Sequence, residues 1–381
     1  MDDVAPQRRA PRDRAESQAL DAADPLRALR DRFDLDPKLV YLDGNSLGAL
    51  PRTAARRLAE VVEKEWGRGL IRSWNDAGWI DAAARLGARL ARLIGAAPDE
   101  VLCCDSTSVN LFKLLSAALG TQSERRVILT EQSNFPTDLY VAEGLAELAG
   151  RGWRVRRVLR SQLEDALGDD VAVMMLTHVD FTSGYVHDMR GLTAAAREAG
   201  VLTLWDLSHS TGALEVDLGG CGVDLAVGCG YKYLNGGPGA PAYLFVSRRL
   251  HGIVNSPLWG WMGHASPFDF SPVYSPAAGV RGFAAGTPPI LAMAAIIAIL
   301  YFGRVFFITS LVALTIAFIL EPFVALLMRI RLPRSLASFV VCSVALALLY
   351  VIGLGAYSQH AGLYDEFPKY GQRIGDIVDA V

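Results

Sequence analysis

An aspartate and a lysine 26 residues apart are the pair in this chain best suited to chemistry. Asp206 ends the apolar run that leads into Leu207-Ser208-His209. A lone buried carboxylate is costly, so it needs a partner. It either caps the turn that follows or faces the protonated nitrogen of a pyridine ring, whose charge a carboxylate maintains. His209 is placed to support that aspartate or to touch the ring. Lys232 stands between Tyr231 and Tyr233, and the segment around them holds Gly228, Gly230, Gly236 and Gly237. Glycines there permit tight turns and a close approach to the backbone. A lysine in a partly dry pocket is activated as a nucleophile and forms a Schiff base. Aspartate on a ring nitrogen and lysine on an aldehyde together make the pattern of pyridoxal 5'-phosphate.

Two further segments could serve such a cofactor. Asp105-Ser106-Thr107-Ser108 opens a helix, where small hydroxyls and free N–H groups either simply cap it or cradle a phosphate. In Asn134-Phe135-Pro136-Thr137-Asp138 the aromatic ring is either a hydrophobic staple or a plate stacked on a flat ligand. Neither GxGxxG nor a Walker lysine follows the first strand, which lowers the case for a dinucleotide or triphosphate. The five cysteines, Cys103, Cys104, Cys221, Cys229 and Cys342, form no CxxC pair. They read as buried thiols in a reducing compartment, with no metal site. A net charge of -3 and a pI near 6.1 give no footprint for nucleic acid.

These residues need a frame that gathers strand ends. Apolar runs at 100–104, 126–130, 153–158, 171–177, 201–206 and 223–228 read as buried strands. Amphipathic stretches at 108–119, 138–149 and 190–199 read as helices between them, preceded by short helices near 25–33, 52–66 and 79–95. That alternation predicts an α/β fold with a mostly parallel sheet covered by helices, over residues 25–292. Ligands bind such sheets outside the C-terminal strand ends, which is where every segment above falls. Residues 1–24 are charged throughout, without the apolar core of a signal peptide, and read as a disordered tail.

Over roughly residues 25–295 the sequence resembles the kynureninase family of fold type I pyridoxal-phosphate enzymes. The resemblance rests on Tyr41-Leu42-Asp43-Gly44-Asn45-Ser46-Leu47-Gly48, the Phe135–Asp138 run, Asp206-Leu207-Ser208-His209, Tyr231-Lys232-Tyr233-Leu234-Asn235, Gly260-Trp261-Met262-Gly263-His264 and Gly286-Thr287-Pro288-Pro289-Ile290. Related class V aminotransferases and cysteine desulfurases share the aspartate and lysine but generally lack the first and fifth of these elements. The resemblance implies hydrolytic cleavage of L-kynurenine, or 3-hydroxykynurenine, giving anthranilate and L-alanine from the former, a step of tryptophan catabolism leading toward NAD. It implies that Lys232 carries the cofactor and moves protons, and that Tyr231 binds phosphate and assists as an acid. Thr107 and Ser108 would sit by the phosphate, and Phe135 would stack on the ring. Thr137, Asp138, Ser183 and His209 would contact the cofactor, and Asp206 would pair with the ring nitrogen. Trp261 and Thr287 would reach the phosphate from the neighbouring subunit of a homodimer. Asn45 and Ser46 would lie on the substrate side.

The C-terminal part departs from this pattern. Mean hydropathy is +0.26 and only 20% of residues are charged, low for a soluble protein. The shortfall is local: residues 291–381 hold 11 charged side chains, against 66 in the first 290. Pro288–Leu320 contains only Arg304, and Ser335–Tyr364 contains no Asp, Glu, Lys or Arg. Runs of that length predict transmembrane helices over 293–364, followed by a polar amphipathic tail at 365–381. The short loop holding Arg329, Arg331 and Arg334 is placed in the cytoplasm by the positive-inside rule, and the enzyme domain is expected on the same side, tethered to the membrane. From about Ala295 the chain resembles the start of an autoinducer-exporter (PerM-type) permease, through Leu300–Arg304, Ile319–Pro322 and Leu332–Ser335. The family's small C-terminal domain, with its arginine for the substrate carboxylate, is missing from this reading, and turnover is expected to suffer. The chain thus reads as chimeric, joined by natural fusion or by a frameshift or assembly junction. The competing functions are a permease fragment and another class V aminotransferase-like enzyme.

Overall fold

The structure is a computed structural model that describes residues 11–122, 124–298, 300 and 341. Residues 11–300 lie in one compact unit, Met1–Phe302. Seven strands form a single sheet: β1 (Val101–Cys103), β2 (Val127–Glu131), β3 (Arg154–Val158), β4 (Val171–Thr177), β5 (Leu202–Asp206), β6 (Leu225–Gly228) and β7 (Tyr243–Val246). The spatial order is β1-β7-β6-β5-β4-β2-β3. The pairs β2–β3, β2–β4, β4–β5 and β5–β6 are parallel. β7 runs antiparallel to both β6 and β1.

The six expected strands are present, and the mostly parallel α/β architecture holds. β2 and β4 are buried along their whole length, as strands covered on both faces must be. β3 is an edge strand, and its sequence RVRRV turns arginines outward, which discourages pairing with another chain. The sequence reading missed β7. Lys232 is followed by a glycine-rich turn and a direct antiparallel return, not by the helix that a βα alternation leads one to expect.

The helices are α1 (Arg14–Ala23), α2 (Arg52–Glu60), α3 (Ser73–Asp76), α4 (Ala82–Ala91), α5 (Thr107–Gly120), α6 (Pro136–Ala149), α7 (Met189–Glu198) and α8 (Leu218–Cys221). α5, α6 and α7 match the three expected crossover helices. α1 falls inside the stretch expected to be disordered: Asp13 caps it, accepting from the Glu16 N–H at 2.8 Å, although none of its residues is buried. α2 continues as a π-helix over Val61–Gly69.

The boundary expected at residue 292 falls within a helix. The backbone is helical over 290–298, and Met293, Ala294, Ala295, Ile296 and Ala298 are buried within the unit. A Cβ on Gly230 or Gly236 would come within 2.7 or 2.5 Å of the Ile296 side chain, so the start of the apolar run packs on the loop that carries Lys232. Hydropathy alone does not distinguish a helix buried in protein from one buried in lipid. Among the described residues, no helix is long and apolar enough to cross a membrane. Apart from Val341, the expected spans from residue 301 onward, and the tail at 365–381, lie outside the described residues. Cys103, Cys104, Cys221 and Cys229 are free thiols.

Candidate active site

The C-terminal ends of β1, β2, β4, β5 and β6 lie on the same side of the sheet. The registers Thr177↔Asp206 and Asp206↔Val227 set the ends of β4, β5 and β6 side by side. Lys232 follows β6 and is buried. Its Nζ lies 2.7 Å from Nε2 of His209, which follows β5. The same Nζ stands 5.7 Å from the centre of the Phe135 ring and 5.9 Å from that of Tyr231. Burial, and then the Lys232 charge, push the His209 imidazole below its usual range, so it is neutral at pH 7. His209 lies beside the backbone of Asn45 and Val179, and its Nδ1 has no hydrogen-bond partner among the described residues.

Asp206 is buried, and its Oδ1 accepts from both the backbone N–H (2.8 Å) and the hydroxyl (2.6 Å) of Ser208. Asp138, in the first turn of α6, is buried against it. Burial first, then the Asp206 carboxylate, hold Asp138 well above the usual carboxyl range. Burial raises Asp206 too, while the Ser208 donors pull it back. Two such carboxyls do not both ionise, so the pair shares a proton, with the charge on Asp206, where the donors are. Asp138 Oδ2 has no hydrogen-bond partner among the described residues.

The remaining expected residues fall into two groups. Thr107 and Ser108 form the first turn of α5, half-buried, behind the cap Ser106. Phe135 ends the loop before α6, with Pro136 setting the first helical position. Its ring meets Phe181 edge-on at 5.3 Å, and half-buried Thr137 precedes Asp138. Tyr231 is half-buried, which raises its phenol, and its carbonyl accepts from Gly48 N–H at 2.8 Å. Asn45 and Ser46 are exposed on the turn Asp43–Gly48, which this bond docks beside Lys232.

Ser183 and Trp261 are engaged by other partners. The Ser183 hydroxyl donates to Asp180 Oδ1 at 2.8 Å. Trp261 packs edge-on against Trp74 and Phe268 and lines an apolar cavity of ≈ 610 Å³ with them. Thr287 is exposed. Sequence reading passed over Thr177, which lies against Asp138 and bonds Asn134. It is the polar end of an apolar strand, the same signal that singled out Asp206.

This donor set fits a protonated pyridine. A buried carboxylate with its charge held at the crevice, an orphaned oxygen beside it, a lysine and a flat apolar ring surround one space, with a helix N-terminus on the same side of the sheet. Among the described residues no cluster of His, Cys, Asp and Glu has the makings of a metal site.

Comparison with known proteins agrees. Residues 40–304 match the family model described as aminotransferase class-V. The chain is 54% identical over 281 residues to a kynureninase of Pseudomonas fluorescens, covering 72% of this chain and 68% of that protein. It is 53% identical over 285 residues to a kynureninase of Burkholderia mallei, covering 74% and 68%. In fold it resembles the cysteine desulfurase of Thermococcus onnurineus NA1 (TM-score 0.63, 21% identity, 73% of this chain and 70% of that one). It also resembles a C-DES variant with glycine covalently linked to its PLP cofactor (TM-score 0.65, 19% identity, 72% and 74%). The permease resemblance of the C-terminal segment has no support from the relatives compared.

Proposed function

The chain belongs to the class-V aminotransferase family and, within it, to the kynureninases, and from that premise we propose that it is a pyridoxal-phosphate hydrolase cleaving L-kynurenine to anthranilate and L-alanine. The carrying observation is the Lys232–His209 contact set against the Asp138–Asp206 pair at adjoining strand ends. Together they supply an amine for the cofactor's aldehyde and an anion for its ring nitrogen. Bound there, the cofactor supplies an electron sink for the substrate's α-carbon.

The protein's own residues have separable tasks. Lys232 holds the cofactor through Nζ and moves the proton at the substrate's α-carbon. Neutral His209 accepts from Nζ and fixes where that nitrogen points. Asp206 keeps the ring nitrogen protonated, and protonated Asp138 leaves the negative charge to it. Phe135 covers one face of the ring and excludes water there. Thr107 and Ser108 offer the phosphate a helix N-terminus, where free N–H groups and the helix dipole favour an anion. Tyr231, its phenol raised by burial and its ring 5.9 Å from Lys232 Nζ, offers a proton donor beside the lysine. Asn45 and Ser46 face the substrate from the docked turn. Trp261 and Thr287 serve the neighbouring subunit of a homodimer, and Ser183 contacts the cofactor from the turn it shares with Asp180.

The purified protein is expected to absorb in the visible through the cofactor, and borohydride to fix that cofactor on Lys232. Anthranilate is expected from L-kynurenine, and Lys232→Ala is expected to abolish all three signals. A parent protein as colourless as Lys232→Ala would sink the reading.

For the C-terminal segment we infer membrane attachment, on the uncharged run Ser335–Tyr364 and the arginine loop before it. The enzyme domain then lies on the cytoplasmic face.

A further inference from the structure

Lys113 is the one charged residue in the helical run Val109–Leu119, and it is wholly buried. A buried ammonium is tolerated only when its protons are all engaged. Here Nζ binds the Asp105 carboxylate, donates to the Phe283 carbonyl at 2.7 Å and lies 4.0 Å from Cys104 Sγ. The geometry follows from the helix. Side chains lean toward a helix N-terminus, so a lysine in the second turn of α5 reaches back beneath the first. That first turn is Thr107 and Ser108.

Each partner is a hinge point. Asp105 adopts φ +47, a left-handed conformation that non-glycine residues take at a cost, and it sets the direction in which the chain enters α5. The Ala242 N–H holds its carbonyl at 2.8 Å, and Lys113 holds its side chain. Phe283 ends a short helical turn, and two residues on, the Ala285 carbonyl accepts from Met262 N–H at 3.2 Å, tying in the turn that bears Trp261. A paired lysine adds no net charge to the crevice, so its effect there is one of aim.

We propose that Lys113 is the positioning residue of the phosphate cradle: by clamping the Asp105 turn to the Phe283 carbonyl, it aims the N–H groups and hydroxyls of Thr107 and Ser108 at the cofactor's phosphate. This rests on the reading that the chain binds pyridoxal phosphate there.

The test compares two ligands that differ only in the phosphate. Full-length wild type, Lys113→Met and Lys113→Met/Asp105→Asn are stripped of cofactor and titrated with pyridoxal 5'-phosphate and with pyridoxal, following absorbance. The double variant leaves no unpaired carboxylate, so its result decides if the single variant does not fold by circular dichroism. The Kd for the phosphate ester is expected to rise at least about tenfold, and that for pyridoxal to change by less than about twofold. Equal weakening toward both ligands, which a merely structural lysine would produce, overturns the proposal. So does no change toward either, or failure of both variants to fold. Wild type that binds neither ligand overturns the cofactor reading itself, a different result from any of these.

Discussion

The two buried carboxyls beside Lys232 have opposite tasks, and substitution separates them. Asp138 is held protonated by burial and by its neighbour, so an amide imitates it. Asp138→Asn is expected to keep cofactor affinity within about threefold, whereas Asp206→Asn loses a charge-assisted bond of about 1.5–3 kcal/mol and with it about 10- to 100-fold in affinity. Equilibrium titration with pyridoxal 5'-phosphate distinguishes them, and an equal loss from both would refute the division. A second titrating residue reports on stability. Burial lowers His178 from 6.5 to about 4. The unfolded chain therefore takes up the proton first, and stability is lost as pH falls through 6.5, levelling off near 4. Between pH 7.5 and 5 this loss amounts to about 2 kcal/mol. His178→Phe keeps a ring against Trp205, from which His178 stands 5.9 Å. Urea unfolding at the two pH values is expected to show a shallower acid loss in that variant.

At the scale of elements, the site depends on segments that approach one another too closely for side chains. Gly48 donates to the Tyr231 carbonyl, and a Cβ there would overlap the Lys232 carbonyl. Since backbone lies on both sides, neither partner yields cheaply. Gly48→Ala is expected to cost about 1–3 kcal/mol in stability. It is also expected to raise KM for kynurenine more than it lowers kcat, because the displaced turn carries Asn45 and Ser46 and not the lysine. Thermal unfolding and steady-state kinetics check the two parts separately. The contact was not legible in the sequence, where Gly48 and Lys232 are far apart and Gly48 is one residue of the Tyr41–Gly48 motif. The strand ends were legible, because a polar residue closing an apolar strand stands out from its neighbours.

For the whole molecule, composition divides the chain near residue 290 and packing divides it later. The helix over 290–298 supplies Ile296 to the loop of Lys232, so truncation before Ile290 is expected to weaken cofactor binding as well as stability. Truncation after Phe302 is expected to spare both. If the remaining apolar runs insert in a membrane, alkaline carbonate leaves the full chain in the pellet and releases the chain ending at Phe302. Release of both would rule out spanning segments.

The sequence by itself determined the α/β alternation and the strand ends, and it singled out Asp206 and Lys232. Each is written in local pattern: apolar runs, the polar residue that ends them, glycines around a lysine. Tertiary structure decided what depends on residues distant in the chain. Asp138 is raised by its own burial and then by the Asp206 carboxylate packed against it. His209 is held neutral by its burial and then by the charge of Lys232, 2.7 Å away. Lys113 reads as a stray charge in an apolar helix until Asp105 and Phe283 are brought to it. Charge states and clamps are set by neighbours, and only folding chooses the neighbours.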